Sequence, residues 1–437
     1  MRRHYGLVVL MHAVVTAMVL TLALLHARYI GHYSLLDEYR YVWLGFFIAA
    51  LTISAYGAGL PDEGGEVFRS RVGAAFASVL TAAIAISLLQ LALGSALLPR
   101  FVVFWSSLFA VPWNALLAAV SADLKRTSGG ARVLAVVSAE EAARLSTELH
   151  SGSERDATLV ACVPPNEIRA DPPDAVTGDR YSVEVVVLNR EAMADPETIA
   201  WASRIHARGI RVRSLSLFYE EWLGKLPISE LEPVSLMFDV GELHRRLYAR
   251  QKRVADFLAG LVLSVLVGAA VPFVLIGNMV GNRGSLFFRQ ERVGRGGDVF
   301  TIYKFRTMRP GEKNSEWTSD GDQRVTPFGR LLRRSHLDEI PQGLNVLKGD
   351  ISIVGPRPEQ PDYVRQLREA IPFYDVRHII RPGITGWAQI KFAYGASIGD
   401  TREKLQYDFF YLRRQSVQLD ARIVVRTLRS VFMQRGR

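Results

Sequence analysis

The sequence predicts a membrane protein in three parts: four N-terminal transmembrane helices, a small α/β domain, and a basic C-terminal α+β domain that carries one more apolar segment. Three observations point there. Four apolar stretches fill the first third of the 437 residues, strand and helix patterns alternate after them, and the positive charge gathers in the C-terminal half. From Gly241 onward 33 Lys and Arg face 19 Asp and Glu, an excess of +14; the chain total is +10, so the first 240 residues carry −4. A basic half favours anionic partners: acidic lipid, phosphorylated substrates or nucleic acid. The single cysteine, Cys162, excludes a disulfide framework and a cysteine-based metal site within the chain.

The apolar stretches are Leu7–Leu25, Tyr41–Leu60, Val72–Leu93 and Phe101–Val120, each near the roughly 20 residues a helix needs to cross a bilayer. The first follows Arg2 and Arg3, but it lacks a small-residue cleavage site and three similar stretches follow it. It therefore reads as an anchor rather than a signal peptide. Arg2/Arg3, Arg69/Arg71 and Lys125/Arg126/Arg132 flank alternate connections, which places the N-terminus and everything beyond Val120 in the cytoplasm. Arg28, Arg40 and Arg100 dissent. Residues 1–125 form this region.

Residues 130–235 read as a Rossmann-like α/β domain. "RVLAVV", "ATLVACV", "SVEVVVL" and "IRVRSL" are short buried strands, with helices at "AEEAARLSTELH" and "DPETIAWASRIHARG" between them. The turn after the first strand has no Gly-x-Gly to admit a pyrophosphate, so a structural or regulatory domain is expected in place of a dinucleotide site.

Residues 245–437 form the third part. Phe257–Ile276 contains no charge, yet Arg250, Lys252 and Arg253 precede it and Arg283 and Arg289 follow. Basic flanks at both ends favour both ends on one side, and Pro272 breaks or kinks a helix. A re-entrant hairpin over about 254–280 satisfies both; a plain fifth span is the alternative. Beyond it, "FFRQERVGRGGDVFTIYKFRTM" reads as strand, Gly-rich turn, strand. "TPFGRLLRRSHLDEI" reads as a helix with Thr326 as cap and Pro327 at its first position, ending at Pro341. Leu331, Leu332, Ser335 and Leu337 are expected on its packed face.

That helix sets two carboxylates, Asp338 and Glu339, side by side. Adjacent helical residues diverge by about 100°, so they are not a symmetric shared-proton pair. One could attack phosphorus as a nucleophile while the other positions a group or assists a proton. Attack on an anionic phosphate needs cations, which Arg333, Arg357 and Lys304 could supply, with a divalent metal such as Mg²⁺ on the carboxylates. On charge pattern alone, the competing reading is a solvated Asp-Glu pair offset by neighbouring arginines.

The ordered set "KRVAD", "FFRQERVGRGGDVFTIYKFRTM", "GRLLRRSHLDEIPQGLNVLKGDISIVGPRP", "RPGITGWAQI" and "YDFFYLRRQSVQLD" resembles the bacterial sugar transferase family over about Lys252–Met433. These are monotopic polyprenyl-phosphate phosphoglycosyl transferases, and the N-terminal helices and α/β domain resemble their long, exopolysaccharide-type members. The resemblance implies transfer of a phosphosugar from a UDP-sugar to polyprenyl (undecaprenyl) phosphate, with release of UMP. It implies Asp338 as nucleophile and Mg²⁺ ligand, and Glu339 as its partner. It implies Lys304, Arg306, Arg333 and Arg357 as basic substrate-binding residues, with Asp408 and Asp420 as further, acidic ones. It also implies Mg²⁺ as cofactor, inner-leaflet lipids as surroundings, no nucleic-acid partner, and a catalytic domain facing the cytoplasm from the bacterial inner membrane. The α/β domain is a candidate for homodimer formation. Two departures stand out: Val271 precedes the proline where the family has a polar or small residue, and "PQGLNVL" replaces "PQLWNVL". The alternative is a non-catalytic scaffold or regulator of polysaccharide synthesis with a degenerate transferase domain. The tail "ARIVVRTLRSVFMQR" fits an interfacial amphipathic helix and a core-packed one equally. His336, Trp317 and Trp387 read as surface or packing residues.

Overall fold

Long runs without charge fold as four helices, α1 (Arg2–Leu25), α2 (Arg40–Gly57), α3 (Phe68–Ala92) and α4 (Arg100–Ser128). They belong to a computed structural model that describes residues 2–36, 40–61, 68–92, 94, 98–128, 130–152, 154–167, 183–230, 245–281, 284–309, 324–392 and 397–432. Trp317 and the tail beyond Phe432 lie outside these. Val15, Val19, Trp43, Phe47, Val79, Ile86 and Val102 interlock as the inner stripe of the four helices. Leu24, Phe46, Phe76 and Phe104 stay exposed on the outside, as lipid-facing residues do. Three of these helices, together with a later one at 248–279, are long and apolar enough to cross a membrane. The fourth, α2, has 18 residues, the short end of the spanning range. The chain is a membrane protein.

The described residues divide into two compact units. One comprises 123–242 and 402–413. Its sheet is wholly parallel, in the order β2-β1-β3-β4, from β1 (Ala131–Val136), β2 (Ala157–Val163), β3 (Val185–Leu188) and β4 (Arg211–Ser214). Helices cover both faces. Leu145 and Leu149 of α5 (Ala139–Gly152) pack on one side. Trp201 and Ile205, on a helix over Pro196–Ala207, pack on the other. Coverage of both faces explains why β1, β2 and β3 read as near-continuous apolar runs, whereas β4 at the sheet edge alternates as Arg-Val-Arg-Ser. The sequence did not foretell that 402–413 would join this unit. Buried Lys225 ties it in, ion-paired to Glu148 and to Glu403.

The other unit comprises 1–122, 243–401 and 414–437. Where the sequence suggests a broken hairpin, a single helical element, α6 (Arg245–Gly281), runs for 37 residues with Pro272 inside it. The hairpin that follows is as expected: β5 (Phe287–Val293) pairs antiparallel with β6 (Val299–Phe305), and Gly296 and Gly297 take positive φ in the turn. Next comes α7 (Pro327–Arg334), capped by Thr326 Oγ1, which accepts from Gly329 N at 2.9 Å. This helix stops at Ser335, not at Pro341. His336 then takes a left-handed conformation (φ 53°, ψ 15°), and a separate 3₁₀ helix covers Leu337–Gln342 with Pro341 inside it. The early stop changes the packed face. Leu332 is fully buried, whereas Leu331 is 52% exposed.

Helix α8 (Gly343–Lys348) follows directly, then the parallel pair β7 (Ser352–Val354) and β8 (Gly383–Thr385). A 3₁₀ helix over Tyr374–Ile379 precedes β8. Two long helices, α9 (Ile398–Arg414) and α10 (Val417–Phe432), close the described chain. The tail resolves as core-packed. Val425 of α10 is buried among Met11, Ala55, Ala74 and Ala115. Gly57 of α2 lies so close that a Cβ there would sit 3.0 Å from the Ala421 carbonyl oxygen.

Candidate active site

The carboxylates sit on the 3₁₀ helix Leu337–Gln342, whose three residues per turn send neighbours about 120° apart. Their environments differ accordingly. Asp338 is buried and within electrostatic reach of Lys304. Glu339 turns to two cations: Lys304 Nζ donates to its Oε1 at 2.7 Å and Arg357 Nη2 donates to the same oxygen at 3.1 Å. Among the described residues no hydrogen bond falls on Oε2. Burial alone would raise the Glu339 carboxyl, but Lys304 and Arg357 outweigh it and hold the group well below the usual carboxylate range. Lys304 is pushed down by burial; Glu339 pulls it part of the way back, while Arg357 pushes it further down. Glu339 is therefore held as an anion, and the solvated-pair reading fails on burial and geometry.

Each partner arrives from a different element. The hairpin brings Lys304 on β6, opposite Phe288. The Gly355-Pro356-Arg357-Pro358 turn after β7 brings Arg357, and Ser352 and Ile353 at its root are fixed by buried Asp256 of α6. That carboxylate accepts from Ser352 Oγ and Ile353 N, both at 2.9 Å. Asn345 locks α8 to the hairpin, with Oδ1 accepting from Tyr303 N at 3.2 Å and Nδ2 donating to the Thr301 carbonyl at 2.7 Å. Arg333 Nε donates to Thr307 Oγ1 at 2.9 Å, which ties α7 to the end of β6. Arg306, just past that strand, is buried, and the Gly284 backbone lies directly against its guanidinium; a Cβ on Gly284 would fall 2.1 Å from Nη1.

Asp338, Glu339, Lys304 and Arg357 thus converge, with Arg333 tied in through Thr307. Asp420 is bound elsewhere: Tyr248 Oη and Lys252 Nζ of α6 both donate to its Oδ2 at 2.8 Å. Its visible work is to fasten α10 to α6. Asp408 is buried on α9, in the 402–413 stretch that belongs to the α/β unit. Trp387 is buried beneath the charges of Lys391, Arg422 and Arg426, a packing role. Asp256 and Asn345 hold these elements together, and sequence reasoning did not single them out. Asp256 lies in "KRVAD" and Asn345 in "GLNVL", where a polar residue inside an apolar run is the available signal.

The apolar helix runs beside this site. Gly260 meets Leu347 and the Gly343 carbonyl, and Gly343 in turn faces Leu263. Val267 and Val274 pack with Phe305, Leu332, Leu337 and Ile340, and Gly277 abuts Phe328. The departure "PQGLNVL" is explained here: with no side chain, Gly343 lets α8 close on α6. On the opposite face of α6, Phe257, Leu261, Val265, Ile276 and Met279 are exposed.

A family model described as bacterial sugar transferase matches residues 247–434. The chain is 37% identical over 255 residues to the UDP-N-acetylgalactosamine-undecaprenyl-phosphate N-acetylgalactosaminephosphotransferase of Aeromonas hydrophila, covering 58% of this chain and 59% of that protein. It is 37% identical over 191 residues to a UDP-glucose:undecaprenyl-phosphate glucose-1-phosphate transferase of Escherichia coli K12, covering 42% of this chain and 41% of the relative. A protein of the same description from Caulobacter vibrioides is 37% identical over 196 residues, covering 44% of this chain and 73% of that one. Against the first two, the match spans less than two thirds of the relative's length.

Proposed function

The chain belongs to the bacterial sugar transferase family, and from that premise we propose that it transfers a sugar-1-phosphate from a UDP-sugar to polyprenyl (undecaprenyl) phosphate. The product would begin assembly of an exopolysaccharide or capsule glycan. The observation that carries this reading is the asymmetry of the dyad: one buried carboxylate beside another that two cations hold ionised.

In the first step an Asp338 carboxylate oxygen attacks the phosphorus that bears the sugar. A P–O bond to the neighbouring phosphate breaks and UMP leaves, which gives an aspartyl-phosphosugar. In the second step an oxygen of the polyprenyl phosphate attacks the same phosphorus and frees Asp338. Splitting one displacement between two anions into two steps is the gain of covalent catalysis. Lys304, Arg357 and Arg333 offset the charge that gathers on the phosphoryl oxygens. Glu339, kept anionic, holds Lys304 and Arg357 at the site where the phosphoryl charge gathers. A Mg²⁺ ion, when bound, would be held by Asp338, since this ion characteristically takes one or two carboxylates plus substrate phosphates. Among the described residues no group of three or more His, Cys, Asp or Glu forms a protein cage. When bound, it would neutralise diphosphate charge.

The same reading places α6 in one leaflet and the site at the cytoplasmic headgroup level. Contacts with catalytic elements run from Gly260 to Gly277, about 25 Å at 1.5 Å per residue along a straight helix, with the dyad's 3₁₀ helix beside the middle. A straight crossing would carry Lys304, Glu339 and Arg357 into the hydrocarbon, at several kcal/mol per charge. A bend at Pro272, within what is otherwise one continuous helix, would return its end to the same side and avoid this, and basic residues at both of its ends agree. The test supplies UDP-sugars, polyprenyl phosphate and Mg²⁺, and identifies the nucleotide released. UMP supports the proposal; UDP would mean transfer of the sugar alone, and no nucleotide would mean a scaffold.

A further inference from the structure

We propose that Arg377 is a positioning residue for the transfer, holding the Gly355–Pro358 turn so that Arg357 meets Glu339. The turn cannot hold itself. Pro356 and Pro358 have no N–H, so the carbonyls around them must find donors elsewhere or go unsatisfied at a cost. Each finds one. Gly383 N donates to the Pro356 carbonyl at 2.9 Å, Arg292 Nη1 to that of Pro358 at 3.1 Å, and Val293 N to that of Glu359 at 2.9 Å. The carbonyl of Arg357 itself accepts from Arg377 Nη2 at 2.9 Å.

Arg377 is suited to fix a position rather than to meet substrate. It lies on the 3₁₀ helix Tyr374–Ile379 and is 7% exposed. Its Nη1 donates to Tyr374 Oη at 2.7 Å, and its charge lies 5.3 Å from the centre of the same fully buried ring. The planar guanidinium thus reads two fixed acceptors at once, which a lysine could not do in the same geometry. The 3₁₀ helix is itself braced on the Gly-rich turn, where Arg295 Nε donates to the Ile379 carbonyl at 3.2 Å. Neighbouring His378 is pushed down to about 4 by burial and by Arg377, against the pull of Asp375, so at neutral pH it adds no charge beside Arg377. The chain of support runs from Tyr374 through Arg377 to the Arg357 backbone, and from the Arg357 side chain to Glu339.

The catalytic consequence rests on the transferase reading, whereas the holding role does not, so two measurements separate them. Hydrogen–deuterium exchange of the full-length protein in nanodiscs reads the turn directly. In Arg377→Gln peptides spanning 351–360 and 380–386, which carry the Gly355 amide of the turn and the Gly383 amide that donates to it, should exchange faster, while a peptide over 157–163 in the α/β unit stays unchanged. UMP release reads the consequence. Arg377→Gln should lower it about tenfold or more, the scale of a small misplacement of a catalytic group, and Arg377→Lys should not restore it. In an Arg357→Gln background, the same change should cost less than twofold. The milder Tyr374→Phe keeps the arginine and should show the same pattern at reduced size if Arg377→Gln fails to fold. Unaltered exchange in the turn, or losses that multiply in the double variant, would overturn the assignment. A wild-type protein that releases no UMP would end the transferase reading, and the exchange result would still decide whether Arg377 holds the turn.

Discussion

Gly343→Ala probes the closest approach between the apolar helix α6 and the segment that carries the dyad. A Cβ at Gly343 would lie 2.5 Å from Leu263 Cβ and 3.3 Å from the Gly260 carbonyl oxygen. Carbon atoms settle at about 3.5–4.0 Å, so α6 and α8 would have to part by about 1 Å. No rotamer relieves the clash, because Leu263 Cβ is fixed to its backbone. Overpacking of this kind costs about 1–3 kcal/mol. Gly268, on the same helix, has nothing within 4 Å of its own added Cβ. There, alanine should gain about 0.5–1 kcal/mol from lost chain entropy. The assay is thermal unfolding of the two variants in nanodiscs, where 1 kcal/mol moves Tm by about 2–4 °C for a fold of 150–250 residues. Gly343→Ala should fall by several degrees and Gly268→Ala should rise slightly. Gly343→Leu, which restores the leucine of the "PQLWNVL" pattern, should be worse still in this chain. A Gly343→Ala protein as stable as wild type, or an equal loss at Gly268, would refute the close crossing.

Asp338→Ala should abolish UMP release, and turnover near the wild-type rate would remove the proposed nucleophile. Glu339 has a depressed carboxyl, so its ionised form stabilises the site fully above the unfolded value of about 4.3, and that contribution is lost only as pH falls below it. Lys304→Met leaves burial opposed by Arg357 alone, so the acid limb of the UMP-release profile should move to higher pH; an unmoved limb would argue against the pair. Asp420→Asn loses a charged acceptor for Tyr248 and Lys252, worth about 1.5–3 kcal/mol. Tm should fall, and Lys252→Met in the same background should add little. Chelation of divalent cations should stop UMP release and Mg²⁺ restore it, as followed by nucleotide chromatography; release that persists in chelator would remove the metal from the scheme.

The parts of this molecule most legible in its sequence are those governed by a short-range rule. Unbroken apolar runs gave the N-terminal helices, continuous Val-rich strands gave the parallel sheet, and paired glycines gave the β5–β6 turn. Lys304, Glu339 and Arg357 were legible as a charge pattern, and their meeting depends on a hairpin and a turn brought 18 to 35 residues along the chain. What sequence concealed was set by tertiary contact. His336 in a left-handed conformation ends α7 early, and nothing in a histidine announces that. Asp420 reads as a site residue from its motif, yet its hydrogen bonds serve to clamp two helices. Arg377 looks like any surface arginine until a proline-flanked carbonyl 20 residues earlier needs a donor.

The seating of α10 against α2, with Gly57 bare under Ala421 and Val425 sunk among Met11, Ala55 and Ala115, has a practical bearing on how this protein can be cut. The family-matched half is not a detachable module, since excising 245–437 would strip the lining from one side of α10 and leave Val425 against water or detergent. A shortened version would need polar replacements along that flank, or the helices it normally nests among, before its behaviour could be compared with the intact molecule.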